Sequence, residues 1–208
     1  MATNYDNIAG TYDFLSSLIF GRQIIEAQVS LLKYVPADSS ILIAGGGTGW
    51  ILERLAEVHA QGLEIDYIES SERMIALSQK RNFKNNVVNF IYRPIEDFIT
   101  EKKYDIVITP FLFDNFRKEK LEFVFTKLDS FLKSDGLWLY TDFDHDKSQK
   151  YLWQKLLLRA MYFFFRILST VEAKELSSIK EYFAPSYSIE FEKSFYSKFI
   201  RSAVYRKI

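Results

Sequence analysis

Residues 41–50 read ILIAGGGTGW, an aliphatic run that stops in glycines at positions 45, 46, 47 and 49. Without a Cβ, glycine lets a backbone leave a strand, turn sharply and pass close to a ligand. The next residues, 50–59, carry Ile51, Leu52, Leu55 and Val58 at helical spacing. Such a helix points its free N–H groups and positive dipole end at whatever the loop holds. In open α/β sheets, ligands lie at the carboxyl ends of the strands, where this loop falls. Ala44, Gly45, Gly46, Gly47, Thr48 and Gly49 are therefore candidate binding residues.

Three ligand classes use such a loop. A phosphate-binding P-loop needs Lys and then Ser or Thr after its last glycine, but Trp50 and Ile51 follow Gly49. The dinucleotide pattern G-x-G-x-x-G, begun at Gly45, needs a glycine where Trp50 stands; begun at Gly47, it needs one at Leu52. What remains is G-x-G-x-G. An acid follows at Glu69, twenty residues beyond Gly49 and at the end of the next expected strand. A carboxylate there can accept hydrogen bonds from both hydroxyls of a ribose, which neutral side chains match poorly.

This pattern resembles motif I of the class I S-adenosylmethionine-dependent methyltransferases. ESSERMIALSQKR looks like that family's acid-x-S-x-x-M stretch, offset by one residue, which implies Ser70 beside the cofactor and Met74 against adenine. In NFIYRPIEDF the resemblance implies that Pro94, Ile95 and Glu96 hold adenine, Ile95 on its face and Glu96 or nearby backbone at its edge. YDIVITPFLFDNF is similar to the family's FD-V strand and loop, which implies that Thr109, Pro110 and Phe111 face the methionine part and the substrate. LKSDGLWLYTDF, residues 132–143, resembles the L-K-x-G-G turn and fifth strand. The likeness covers about residues 38–143. NYDNIAGTYDFLSSLIFG also resembles the leading segment of the ubiquinone/menaquinone C-methyltransferase group, which implies that Tyr12 and Asp13 close over the cofactor; the alternative is an ordinary capping helix. Two positions depart from the family pattern. Ile43 stands where motif I carries an acid, two residues before the first glycine. Pro94 stands where the third strand usually ends in Asp, and it removes a backbone N–H.

These residues need a scaffold. Strands are expected over residues 40–44, 63–69, 87–92, 104–109 and 137–143, alternating with helices over 50–59, after Ser71, and over 118–133, with Gly136 as the last helix's stop. Strand–helix alternation predicts a parallel sheet with helices on both faces. Residues 187–193 and 199–206 alternate like two strands of an antiparallel hairpin at the sheet edge. With the resemblance, the expected fold is α/β and Rossmann-like: a mostly parallel seven-stranded sheet with an antiparallel C-terminal hairpin. One domain is expected over residues 1–208: a helical cap (1–37), a cofactor core (38–143), then a long helix, a further helix and the edge hairpin (144–208). The long helix, 149–169, gathers Lys155, Arg159, Tyr162 and Arg166 on one stripe and is otherwise nearly all apolar. It is too short and too charged to span a membrane. Burial in the fold or at a dimer contact is the expectation, with a lid over an apolar substrate or a membrane-surface helix as alternatives.

Bulk properties narrow the partners. Lys+Arg and Asp+Glu are both 27, so no net positive charge favours nucleic acid. There is no cysteine, which excludes disulfides, thiolate metal sites and a cysteine nucleophile. The start lacks a signal-peptide pattern, so a cytoplasmic protein is expected. The 19 Phe and 13 Tyr predict an aromatic core, with an apolar pocket or an oligomer interface such as a homodimer as alternatives. Asp114, Asp142, Asp144 and His145 are candidate bases, none of them assigned. The DFDHD cluster reads better as a solvated loop than as a metal site, and His59 as structural. The expected function is methyl transfer from S-adenosylmethionine to an O, N or C centre of a small apolar or aromatic acceptor, by in-line displacement. A non-catalytic cofactor-binding or dimerisation module is the alternative, motivated by Ile43 and Pro94. Trp50 speaks against a nicotinamide oxidoreductase.

Overall fold

The computed structural model describes residues 22–144 and 179–208. Helix α1 (Gln23–Leu32) leads into β1 (Ser40–Ala44), α2 (Trp50–Val58), β2 (Gln61–Glu69), α3 (Glu72–Ser78) and β3 (Asn85–Tyr92). A 3-10 turn (Ile95–Asp97), β4 (Tyr104–Pro110), a second 3-10 turn (Phe113–Asn115), α4 (Lys118–Phe131) and β5 (Leu132–Phe143) follow. The one-turn α5 (Lys180–Phe183), β6 (Tyr187–Phe195) and β7 (Ile200–Lys207) complete the described chain. The strands form one seven-stranded sheet in the order β3-β2-β1-β4-β5-β7-β6. Strands β1 to β5 pair in parallel, and β7 runs antiparallel between β5 and β6. The direction of strand order reverses between β1 and β4, so a crevice opens at their carboxyl ends.

The central strands are apolar throughout because both faces are covered: Ile41, Leu42, Ile43 and Ala44 are all buried. On one face Leu31, Leu32, Leu52, Leu55 and Tyr67 pack over β1 and β2. On the other, α4 and α5 close over β5 and β7 through aromatic rings. Phe125 stacks on Trp138 with centroids 5.0 Å apart, and Phe183 on Tyr205 at 3.8 Å. Much of the high aromatic content is thus core.

The hairpin forms as expected, although its turn holds Tyr196, Ser197 and Lys198 at positive φ rather than a glycine. Helix α4 ends at Phe131 rather than at 133, and Gly136 is not its stop. Leu132 already enters β5, and Asp135 (φ 63) takes the left-handed turn. A Cβ on Gly136 would lie 2.9 Å from the Lys133 carbonyl and 3.0 Å from that of Asp105, so this glycine serves the close approach of β5 to β4 at an irregular register. Strands β2 and β3 begin two residues before their expected starts, because the polar pair Gln61 and Asn85 joins the ladder through its backbone. Tyr12, Asp13, His145 and the helix expected over 149–169 lie outside the described residues. No helix among the described residues is long and apolar enough to cross a membrane.

Candidate functional site

The loop begins where β1 ends. The Gly45 N–H still donates to the Ile68 carbonyl at 2.9 Å, and the chain then turns with φ of 71°, 64° and 81° at Gly45, Gly47 and Gly49. Gly49 opens α2, and a Cβ there would come within 2.5 Å of Ser78 Cβ. Gly46 lies against the ring of Tyr67, with 2.2 Å between a built Cβ and Tyr67 Cζ. The Tyr67 hydroxyl donates to the Gly47 carbonyl at 2.8 Å, and Arg81 Nε donates to the Thr48 carbonyl at 3.0 Å. The loop is therefore held from beneath by a tyrosine and from the side by an arginine.

Alternation along β2 puts Tyr67 and Glu69 on the same face. Glu69 is buried; its Oε2 accepts from the Gly47 N–H at 2.9 Å, and its Oε1 from the Ser71 N–H at 2.9 Å. Burial pushes its pKa above the usual range, opposed by the N–H groups of Gly47, Ser71 and Ser70 and by the Ser70 hydroxyl. The Ser70 hydroxyl also reaches Oε1, at 3.4 Å, which leaves Oε2 the less committed oxygen for a ligand hydroxyl. Ser71 caps α3 by accepting from the Met74 N–H at 3.2 Å. That cap brings Met74 beneath the loop, where its sulfur is the nearest atom, 3.9 Å, to a Cβ built on Gly47.

The remaining expected residues divide. Pro94 opens the turn Ile95–Asp97, and Ile95 is buried in one cluster with Ala44, Ile68 and Leu112. Glu96 turns its carboxylate to Lys120 at 2.7 Å, and its carbonyl accepts from Lys127 Nζ, so Glu96 is committed within the chain. Thr109 is fully buried and its Oγ1 accepts from Trp138 Nε1 at 2.9 Å, so its hydroxyl serves the core. Pro110 ends β4. Phe111 has φ 51°, donates its N–H to the Thr141 carbonyl at 2.7 Å and packs on Phe143. Ile43 is enclosed among apolar side chains, next to Tyr67 and Ile108 on the flanking strands. The loop carbonyls of Gly47 and Thr48 are held by Tyr67 and Arg81. Neither has a family motif to flag it, although the i, i+2 spacing of Tyr67 and Glu69 was available.

A pair of carboxyl groups stands at the turn after β4 and near the end of β5. Asp142, buried near the end of β5, accepts from the Phe113 N–H at 2.9 Å and the Phe143 N–H at 2.8 Å, and so pins the turn after β4. Asp114 in that turn accepts from Asn115 Nδ2 at 2.8 Å. Burial raises the proton affinity of both, and the Asp142 charge raises that of Asp114 further. Such a pair suits proton transfer with an acceptor. His59 is structural: its Nε2 lies 2.8 Å from the Val35 carbonyl. Among the described residues no three His, Asp or Glu side chains are grouped to hold a metal ion.

Residues 41–136 match a family model described as a methyltransferase domain. The chain is 35% identical over 144 residues to malonyl-(acyl-carrier protein) O-methyltransferase 2 of Ilyobacter polytropus, covering 69% of this chain and 53% of that protein. The chain spans about half the length of the curated relatives it matches. Its fold is similar to that of DhpI in complex with SAH, with a TM-score of 0.71 and 16% identity over 98% of this chain and 93% of that one. It is also similar to magnesium protoporphyrin IX methyltransferase from Synechocystis PCC 6803 with bound SAH, with a TM-score of 0.67 and 15% identity over 98% of each chain. Residues 41–136 thus carry a methyltransferase domain, and its strand order, with the glycine loop between β1 and α2, is set on a fold similar to that of SAH-bound methyltransferases.

Proposed function

We propose that this chain transfers the methyl group of S-adenosylmethionine to an oxygen of a small, apolar or aromatic acceptor. The observation that carries this reading is the Glu69 carboxylate, fixed at the end of β2 by the Gly47 and Ser71 N–H groups, with Oε2 the less committed oxygen. The residues fit the cofactor. Glu69 would take the ribose, Met74 and Ile95 the adenine faces, and the glycine loop the methionine part, while Gly47, whose missing Cβ would meet nothing nearer than Met74 at 3.9 Å, leaves the approach open. S-adenosylmethionine supplies an electrophilic methyl group on a sulfonium. The protein's share is to bind, orient and exclude water. The oxygen acceptor is supported by the relative named as an O-methyltransferase. Asp114, backed by Asp142, receives the proton when the acceptor is protic; a carboxylate acceptor has none to give.

A preformed loop favours this reading over a dimerisation module that has lost its cofactor, because Tyr67, Arg81 and Glu69 hold it in place within the chain itself; turnover on phenol and carboxylate acceptors separates it from a cofactor-binding module without activity. Calorimetry with S-adenosylhomocysteine tests it. Wild type binds in the micromolar range and Glu69→Ala binds at least tenfold more weakly, as expected for about 1.5–3 kcal/mol per charged hydrogen bond. Absence of binding by wild type at millimolar ligand overturns the reading.

A further inference from the structure

The carboxyl end of β5 faces the start of β7, where Asp142 is the register partner of Arg201. Arg201 is 2% exposed, far below what an arginine on a sheet surface shows. Two of its three nitrogens are spoken for: Nε by Glu192 on β6, and Nη2 by the Tyr205 hydroxyl. Its Nη1 is buried without a partner, the one side-chain atom among the described residues in that condition. A buried guanidinium N–H left unpaired is costly, and native structures fill such positions or use them. The guanidinium carbon lies 5.6 Å from the Tyr140 ring centre and 5.4 Å from that of Tyr205, so two aromatic rings wall the group. Tyr140 links it to the carboxyl pair. Burial raises the Tyr140 pKa, Asp142 raises it further and Arg201 lowers it, so the Tyr140 side chain lies within reach of both charges.

We propose that Arg201 Nη1, between the rings of Tyr140 and Tyr205, is the subsite that receives an oxygen anion of the methyl acceptor. The inference rests on the methyltransferase reading, and it adds what that reading lacks, a charge for the acceptor. The shared chemistry is an oxyanion, either a carboxylate or the phenolate or enolate left when the nearby carboxyl pair takes a proton. Asp142 and Asp144 on the β5 side, Glu192 on β6 and Lys180 on α5 are the other charged groups around it; Lys180 Nζ lies 3.7 Å from both Asp144 and Glu192. Glu192 is the competitor: it takes one edge of the guanidinium and lowers the site's pull on a second anion. A purely structural Arg201 would clip β6 to β7 and have no preference among ligands.

The test uses the full chain with and without S-adenosylhomocysteine, titrated with benzoate, 4-nitrophenol, and neutral benzamide as isostere. Benzoate or 4-nitrophenolate is expected to bind about tenfold more tightly than benzamide, the worth of one charge-assisted hydrogen bond. Arg201→Lys retains part of that preference and Arg201→Gln loses it. Because a buried substitution can unfold the chain, Glu192→Gln is the second arm. Removing the competitor, it should tighten anion binding severalfold, whereas a structural clip predicts only a lower melting temperature. Stronger binding of benzoate assigns a carboxylate acceptor, and stronger binding of 4-nitrophenolate a phenolic or enolic one. Equal binding of all three probes by wild type, or no gain in Glu192→Gln, overturns the subsite. Failure to bind S-adenosylhomocysteine instead overturns the methyltransferase reading and leaves the anion titration interpretable.

Discussion

Gly46→Ala separates two reasons for a glycine in the loop, room for a ligand and room for the ring beneath. The added Cβ would lie 2.2 Å from Tyr67 Cζ, 2.3 Å from Cε2 and 2.5 Å from the hydroxyl oxygen. Ordinary contact begins near 3.4 Å, so ring or loop must retreat by about 1.2 Å. Tyr67 has little space to yield: it is fully buried, with the Phe90 ring 5.4 Å away. Retreat forfeits the bond from Tyr67 to the Gly47 carbonyl. Overpacking costs about 1–3 kcal/mol and the lost hydrogen bond about 1 kcal/mol. The sum, about 2–4 kcal/mol, lowers the melting temperature of a chain this size by roughly 5–15 °C. Thermal melts with and without S-adenosylhomocysteine read this out, and calorimetry should show affinity at least about tenfold weaker as the Gly47 amide moves. The double variant Gly46→Ala/Tyr67→Ala removes the ring, so the alanine at 46 should then cost little beyond Tyr67→Ala alone. A coupling of about 2 kcal/mol is expected. A Gly46→Ala protein that melts within about 1 °C of wild type, or one showing no coupling to Tyr67, would refute the reasoning.

Other outcomes follow from the same geometry. Because burial raises the Glu69 pKa, protonation removes a ribose acceptor at a higher pH than an ordinary glutamate would allow. Cofactor affinity should therefore weaken on mild acidification, and Glu69→Gln should bind weakly with a flat pH response in the same calorimetry. Asp114→Asn should lower turnover of a protic oxygen acceptor by about 10²–10⁴-fold and remove the acid limb of its pH–rate profile. Its affinity for S-adenosylhomocysteine should stay within about twofold of wild type; an unchanged profile would dismiss Asp114 as the base. Asp142 rises from 3.8 to about 7 on folding, with burial as the main cause. The folded state holds that proton more tightly than the unfolded one. Its contribution to stability is therefore complete below pH 3.8, declines as pH rises and is gone above about 7. The melting temperature of wild type relative to Asp142→Asn should fall as pH rises across that window, and a difference that rises instead would contradict the burial of this group.

The parallel half of the sheet was legible because continuous apolar runs of strand length, separated by helical periodicity, leave few alternatives. The end of α4 was not. A glycine four residues past Leu132 looks like a helix stop, yet Asp135 takes the left-handed conformation and Gly136 answers to the backbone of a neighbouring strand. At the site, Glu69 and the glycine loop were legible because local spacing fixes them. The commitments of Glu96 to Lys120 and of Thr109 to Trp138 were not, since both partners come from elements far along the chain. Arg201 was missed for the same reason. Nothing within β7 marks it; its meaning comes from Asp142, Glu192 and Tyr140 on neighbouring strands.

Ile43 decides whether the loop is deficient or differently built. If an acid were simply missing, Ile43→Asp should repair it and tighten cofactor binding. The surroundings argue otherwise. Ile43 is fully buried, its register partners are Tyr67 and Ile108, and the loop carbonyl at Gly47 already has the Tyr67 hydroxyl. A carboxylate placed there would lose its water among aliphatic side chains and compete for a hydroxyl in use. An uncompensated buried charge costs about 3–5 kcal/mol, the same order as the stability of a marginal domain. Ile43→Asp should therefore melt well below wild type and bind S-adenosylhomocysteine no better. Tyr67→Phe, which keeps the ring and removes the hydroxyl, should lose about 1 kcal/mol and some affinity. If Ile43→Asp bound more tightly at undiminished stability, the tyrosine would be a bystander and the loop a degraded version of the family's. If Tyr67→Phe weakens binding while Ile43→Asp cannot strengthen it, the anchor has moved from the end of β1 to the end of β2, beside the glutamate it serves.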